Sequence, residues 1–270
     1  MALETVKEAW ASHYEEMPKT IQDKDVEIAV RWILKGGPWT QNNQRRALFA
    51  SFGIGPGTHL LHAGSGIGKS GISEALRSGC QVTLLDYSRR ILESAQKVIE
   101  RLSEGRPGLI SRIRIVQGAL EDSGIETRSD FTFNEGVLEH WFEDSERIEM
   151  IRQMARLTRA GGKVIIFVPN ERNRLYKSWL ERLSKLQPTV PPERAFTSEE
   201  LKRDMEEAGL DEVYVKGFAP HLSFVSYDGS RPLALAVWFF QRFLPRAQFN
   251  SYADRYGFFL VGVGTRKELV

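Results

Sequence analysis

The run from His59 to Asp86, HLLHAGSGIGKSGISEALRSGCQVTLLD, constrains this chain more than any other stretch. His59 to Ala63 is a short, mostly apolar segment that stops at a glycine cluster, the pattern of a buried strand ending in a sharp turn. Gly64, Gly66 and Gly68 permit positive φ and let a ligand reach the backbone. Ile72, Ala75 and Leu76 then follow at helical spacing, and Val82 to Leu85 form a second apolar run closed by Asp86. Strand, glycine turn, helix, strand and acid make one half of a nucleotide-binding α/β unit. The free N–H groups at the helix start favour anionic or polar ligand groups. An acid about 20 residues past the glycines is placed to accept hydrogen bonds from a ribose diol.

The remaining chain continues the alternation. Arg89 to Leu102 reads as a helix with Ser88 as its N-cap, Ile113 to Val116 as strand three, and Asp130 to Asn134 as strand four. Glu146 to Leu157 reads as a helix stopped by Ala160-Gly161-Gly162, and Lys163 to Val168 as strand five. Glu212 to Gly217 is strand six and Tyr256 to Thr265 the last strand, with His221 to Arg231 irregular between them. The expected fold is α/β, a Rossmann-like doubly wound sheet with helices on both faces. Ahead of it, Leu3–Tyr14, Asp25–Leu34 and Asn42–Phe52 carry helical spacing. The expected division is a helical cover over 1–57 and a core over 58–270, with acceptor-side insertions at about 171–195 and 219–255.

Composition narrows the partners. With 37 basic and 35 acidic residues the net charge is +2, which argues against nucleic acid. Cys80 is the only cysteine, so an intramolecular disulfide and a cysteine zinc cluster are excluded. The start, MALETVKEAW, lacks a signal-peptide pattern, and no run of about 18 apolar residues exists to span a membrane. The expected compartment is the cytoplasm and the expected assembly a monomer or homodimer.

Two ligands compete for the glycine loop. Ala63-x4-Gly68-Lys69-Ser70 fits a loosened P-loop for a nucleoside triphosphate. Alternatively, Leu61-His62-Ala63-Gly64-Ser65-Gly66-Ile67-Gly68 resembles the first motif of class I methyltransferases that use S-adenosylmethionine (SAM). Three further stretches resemble that family in order. They are Asp86-Tyr87-Ser88, Asn134-Glu135-Gly136-Val137-Leu138-Glu139-His140, and Leu157-Thr158-Arg159-Ala160-Gly161-Gly162-Lys163. The second of these is close to the form in ubiquinone- and menaquinone-biosynthesis methyltransferases. Phe196 to Leu201 with Ala208-Gly209-Leu210 is similar to the helix leading into strand six.

The resemblance implies a seven-stranded sheet whose last strand is antiparallel, SAM as cofactor, S-adenosylhomocysteine (SAH) as product, and a small-molecule acceptor. It implies that Gly64, Ser65 and Gly66 contact the methionine and ribose portion, that Asp86 takes the ribose hydroxyls, and that Tyr87 packs on adenine. Ala119, among the cofactor contacts, stands where the family often has an acid for the adenine amino group, so recognition there would rest on backbone atoms of Leu120 or on Glu121. Asn134 would offer its carbonyl to the methionine ammonium, with Glu135 beside it among the cofactor contacts. His62 stands where the family usually has an acid. Those two departures also admit a non-catalytic subunit with a SAM fold.

For the transfer itself, His140, beyond strand four, is the first candidate for a base or acceptor-orienting group, the alternative being a structural cap. His13, Tyr14 and His221 are weaker candidates. Arg45 or Arg46 could pair with a ligand carboxylate. No metal is expected, since no spacing suggests a second ligand beside Glu139. Pro188 to Pro192 reads as a loop that lines or gates the site. The apolar run Pro232 to Pro245, PLALAVWFFQRFLP, admits burial first, then a pocket wall, then a patch touching a membrane or partner.

Overall fold

The computed structural model describes residues 3–186, 191–227 and 229–267. Helices α1 (Leu3–Glu16), α2 (Lys19–Leu34) and α3 (Gln41–Ala50) precede the sheet. Strand β1 (His59–Ala63), helix α4 (Lys69–Ser78), strand β2 (Gln81–Asp86), helix α5 (Arg89–Ser103) and strand β3 (Ile113–Gln117) follow. Next come β4 (Ser129–Glu135), α6 (Asp144–Leu157), β5 (Thr158–Pro169), α7 (Arg174–Leu186), α8 (Ser198–Glu207) and β6 (Leu210–Phe218). Helices α9 (His221–Ser226), α10 (Arg231–Phe240) and α11 (Arg246–Tyr256) then lead to β7 (Phe259–Arg266).

The seven strands form one sheet in the order β3-β2-β1-β4-β5-β7-β6. The first five pair in parallel, and β7 enters between β5 and β6, antiparallel to both. The central strands are buried on both faces, which is why they read as nearly continuous apolar runs. Strand β5 shows the pleat. Ile165 and Phe167 enter the core beneath α2 to α5, while Val164, Ile166 and Val168 enter the core against α6 and α8.

Two local expectations change. The Gly161-Gly162 pair does not stop α6, because β5 begins directly at Thr158. A Cβ on Gly162 would lie 2.5 Å from the Asp130 carbonyl oxygen, so the glycine serves close strand contact rather than a helix end. The segment after His221 is not irregular but forms α9, whose six residues are too few to show a period. The part of the proline loop at 188–190 lies outside the described residues.

Helices α6 and α8 are joined by Arg147, which is fully buried. It donates to Asp204 at 2.8 Å, to the Phe142 carbonyl at 2.8 Å and to Asp144. Thr197 caps α8 by accepting from the Glu200 N–H, the first half of a capping box.

Candidate active site

The parallel strands end on one side of the sheet, where a doubly wound fold places its ligands. Two adjoining cavities open there, one of about 550 Å³ and one of about 290 Å³. Gly64, Asp86, Tyr87, Val137 and Trp141 border both.

The glycine turn between them is tight. Gly64, Gly66 and Gly68 have φ of 64°, 53° and 78°, values that favour glycine. A Cβ on Gly64 would lie 2.7 Å from Val137, so bare backbone is required for the β1 end to reach the loop after β4. The Gly68 N–H donates to the Ser65 carbonyl at 2.9 Å and closes the turn.

Asp86 is fixed by that turn. Its Oδ2 accepts from the Gly66 N–H at 2.8 Å and its Oδ1 from the Ser88 N–H at 3.0 Å. Burial holds its carboxyl above the usual range, and backbone N–H donors offset that only in part. A carboxylate has about four lone-pair sites, so two remain for a diol. The geometry therefore fits a ribose.

The smaller cavity is largely apolar. Leu85, Tyr87, Ala119, Leu120, Trp141 and Met150 line it, which suits an adenine ring. Ala119 and Leu120 border this cavity. Asn134 does not border either cavity. It is fully buried, with its amide nitrogen 3.4 Å from Met154 Sδ and its Oδ1 without a hydrogen-bond partner.

Glu135 does border the larger cavity, and it gathers residues that sequence spacing does not connect. Its Oε1 accepts from Gln41 at 2.6 Å, its Oε2 from the Ser70 hydroxyl at 2.7 Å, and Arg45 lies 3.3 Å from Oε2. Arg45 is fully buried and sits over the Trp32 ring, whereas Arg46 is exposed. His62, in the place of the usual acid, stacks on Phe133 at 4.2 Å and 12°. Burial pushes its pKa down to about 3, so it is neutral. The carboxylate near the loop is thus supplied by the end of β4 instead of the end of β1. Gln41 and Ser70 lie 94 and 65 residues from Glu135, so only the fold brings them together.

Beside this cluster Glu74 is fully buried, and neither carboxylate oxygen has a hydrogen-bond partner. Burial raises its pKa from 4.5 to about 7, despite attraction from Arg45 and Arg77. A raised carboxyl contributes most stability below the unfolded value, and loses it as pH climbs toward the folded one. For Glu74 that window runs from about 4.5 to about 7. Glu74→Met is therefore expected to match the parent protein near the bottom of the window. Above it the variant should be more stable by about 3 kcal/mol, measured by urea unfolding across the range.

His140 closes a short 3-10 turn, Leu138–His140, at the wall of the larger cavity. Its Nδ1 lies 2.9 Å from the Pro192 carbonyl oxygen. A carbonyl can only accept, so Nδ1 carries the proton and Nε2 keeps its lone pair. Burial lowers the pKa of the ring, which favours the neutral form. Trp10 meets it edge-on at 5.0 Å and stacks on Tyr14 at 5.5 Å, so α1 roofs the cavity with aromatics. Tyr14 borders the cavity, with its hydroxyl 4.0 Å from where a Gly66 Cβ would stand. His221 does not border it. That ring bonds the Trp39 carbonyl at 2.8 Å and ties α9 to the turn before α3. Glu139, His140 and Glu193 place one potential ligand atom each within 4.8 Å of one another. Burial holds the Glu139 and Glu193 carboxyls above the usual range, and the Tyr176 hydroxyl donates to Glu193 at 2.8 Å.

Residues 61–166 match a family model described as a methyltransferase domain. No curated protein matches the chain by sequence. Among solved structures, the chain is similar to magnesium protoporphyrin IX methyltransferase from Synechocystis PCC 6803 with bound SAH. That likeness has a TM-score of 0.55 at 16% identity and covers 96% of this chain and 94% of that one. It is also similar to Haemonchus contortus phosphoethanolamine N-methyltransferase 2 in complex with SAM, with a TM-score of 0.58, 20% identity and 89% of this chain covered. The SAM-dependent methyltransferase SibL gives a TM-score of 0.57 at 18% identity, covering 86% of this chain. The chain spans 56% of the length of each of the latter two. The fold is that of the class I SAM-dependent methyltransferases, and SAM is the cofactor of this class of domain.

Proposed function

We propose that the chain moves a methyl group from SAM to a small, aromatic or lipophilic acceptor at O, N or C. Residues 58–270 form the catalytic core and 1–57 its cover. The observation that carries this reading is Asp86, held by the glycine turn at the junction of the two cavities. Its two remaining acceptor sites take the ribose hydroxyls. The slot beside Ala119 and Leu120 takes adenine, and Tyr87 packs against it. The backbone of Gly64, Ser65 and Gly66, with Glu135, holds the amino-acid end. When bound, SAM supplies a methyl group already activated on a sulfonium. The protein then aligns the acceptor and, where the acceptor carries a proton, removes it. His140 Nε2 is the base in that step.

The aromatic part of the larger cavity's wall supports this acceptor class. Trp10, Tyr14, Ile28, Trp32, Trp141 and Phe258 make part of that wall apolar and largely aromatic, beside polar groups that include Asp25, Lys69, Glu135 and His140. That one of the similar enzymes acts on magnesium protoporphyrin IX supports a planar, greasy acceptor.

The nucleoside-triphosphate reading has little left to support it. Ser70, which would hold Mg²⁺ in a P-loop, donates its hydroxyl to Glu135, and the loop closes on itself. Isothermal calorimetry separates the two. Saturable binding of SAH with no heat from Mg-ATP is the expected result, and the reverse would remove the methyltransferase reading. SAH binding without turnover on any acceptor would leave a non-catalytic subunit.

A further inference from the structure

The run read first as buried holds the most exposed large apolar side chains among the described residues. Of α10, only Ala234 is buried. Leu233, Leu235, Phe239, Phe240, Phe243 and Leu244 all face solvent, with Phe240 at 65% and Phe243 at 72% exposure. Phe239 packs against both Phe240 and Phe243, with ring centroids 5.4 Å apart in each pair. A contiguous apolar face of this kind marks a contact site, since monomers seldom leave one open.

Its charge says what covers it. From Gly229 to Ala253 the sequence holds Arg231, Arg242 and Arg246 and no acidic residue. All three arginines are exposed, and Arg242 lies 3.7 Å above the Trp238 ring, at the edge of the apolar face. A further recess along α11 is bordered by Arg172, Arg174 and Arg255, with Ser251 and Asp254 among them. A second copy of this chain fits poorly, because a two-fold contact sets a patch against itself and would oppose arginine to arginine. An anionic bilayer meets both needs, with hydrocarbon for the phenylalanines and phosphates for the guanidinium groups. Helix α10 has ten residues, and among the described residues no helix is long and apolar enough to cross a membrane, so it lies in the interface plane.

We infer that α10, the turn after it and the start of α11 form a docking surface for an anionic lipid bilayer. The inference is independent of the methyl-transfer reading. It does not use SAM, and its test needs no turnover. The full chain is mixed with vesicles of phosphatidylcholine alone, or with about one third phosphatidylglycerol, and sedimented. Binding to the anionic vesicles, at least tenfold stronger than to the neutral ones, is expected. Each arginine near such a surface contributes about fivefold, so Arg242→Gln with Arg246→Gln should weaken binding about 25-fold. Phe240→Ser with Phe243→Ser should abolish it while the thermal melt stays unchanged, because both rings are already in solvent. Brominated acyl chains should quench tryptophan fluorescence in the parent and not in Trp238→Phe. Equal binding to both vesicle types, or none, overturns the inference. So does a dimer that the phenylalanine variants abolish while vesicle binding is absent, since the face would then belong to a second copy.

Discussion

Asp86→Ala is expected to weaken SAH binding by about a hundredfold or more. Two charge-assisted hydrogen bonds to a ribose diol contribute about 1.5–3 kcal/mol each, and alanine removes both. The loss goes further than the diol. Asp86 also accepts from the Gly66 and Ser88 N–H groups, so its removal frees the turn that presents the backbone to the amino-acid end. Asp86→Asn separates the two effects. Its amide oxygen can still accept from Ser88, but its NH₂ would face the Gly66 N–H, donor against donor. An intermediate loss is expected for it. Calorimetry with SAH reads both variants, and unchanged affinity in the alanine variant would remove the ribose assignment.

His140→Ala is expected to lower turnover by about 10²–10⁴-fold on an acceptor that loses a proton. Affinity for SAH should change far less, because the ring contacts Trp10 and the Pro192 carbonyl and not the glycine turn. The pH dependence gives a second readout. The neutral ring is the active form, and burial lowers its pKa from 6.5. In the parent protein the rate should therefore rise with pH below 6.5 and be level above it. In the alanine variant that acidic limb should vanish. A limb that persists assigns the titration to another group, and equal turnover removes His140 from the chemistry.

The parts of this site that were legible in the sequence are those carried by adjacent residues. The glycine turn, Asp86 and Tyr87 lie within one strand-turn-helix-strand unit, so spacing alone fixes their relation. Helix α5 announced itself because Ile91, Leu92, Ala95, Val98, Ile99 and Leu102 hold one buried face. What stayed hidden depends on folding. The grip of Gln41 and Ser70 on Glu135 crosses distant segments, and no local pattern reports it. Asn134 and Glu135 are neighbours, yet only Glu135 reaches the cavity, since successive strand residues face opposite ways. The Gly161-Gly162 pair looks like a helix stop in isolation, but pairing with β4 makes it strand. For α10, apolarity alone cannot distinguish a core from a contact surface, because both are built of the same side chains.

The seating of β7 bears on how this sheet can assemble. During synthesis β6 emerges before β7, yet its place lies one strand-width from β5, with the gap reserved for a segment some forty residues later. Until that segment arrives, the open edge of β5 offers unpaired backbone to any extended chain nearby. Closure of this half of the sheet is thus a late, long-range event, and the nascent protein is most vulnerable to mispairing at Lys163–Pro169, the rung that β7 will finally occupy.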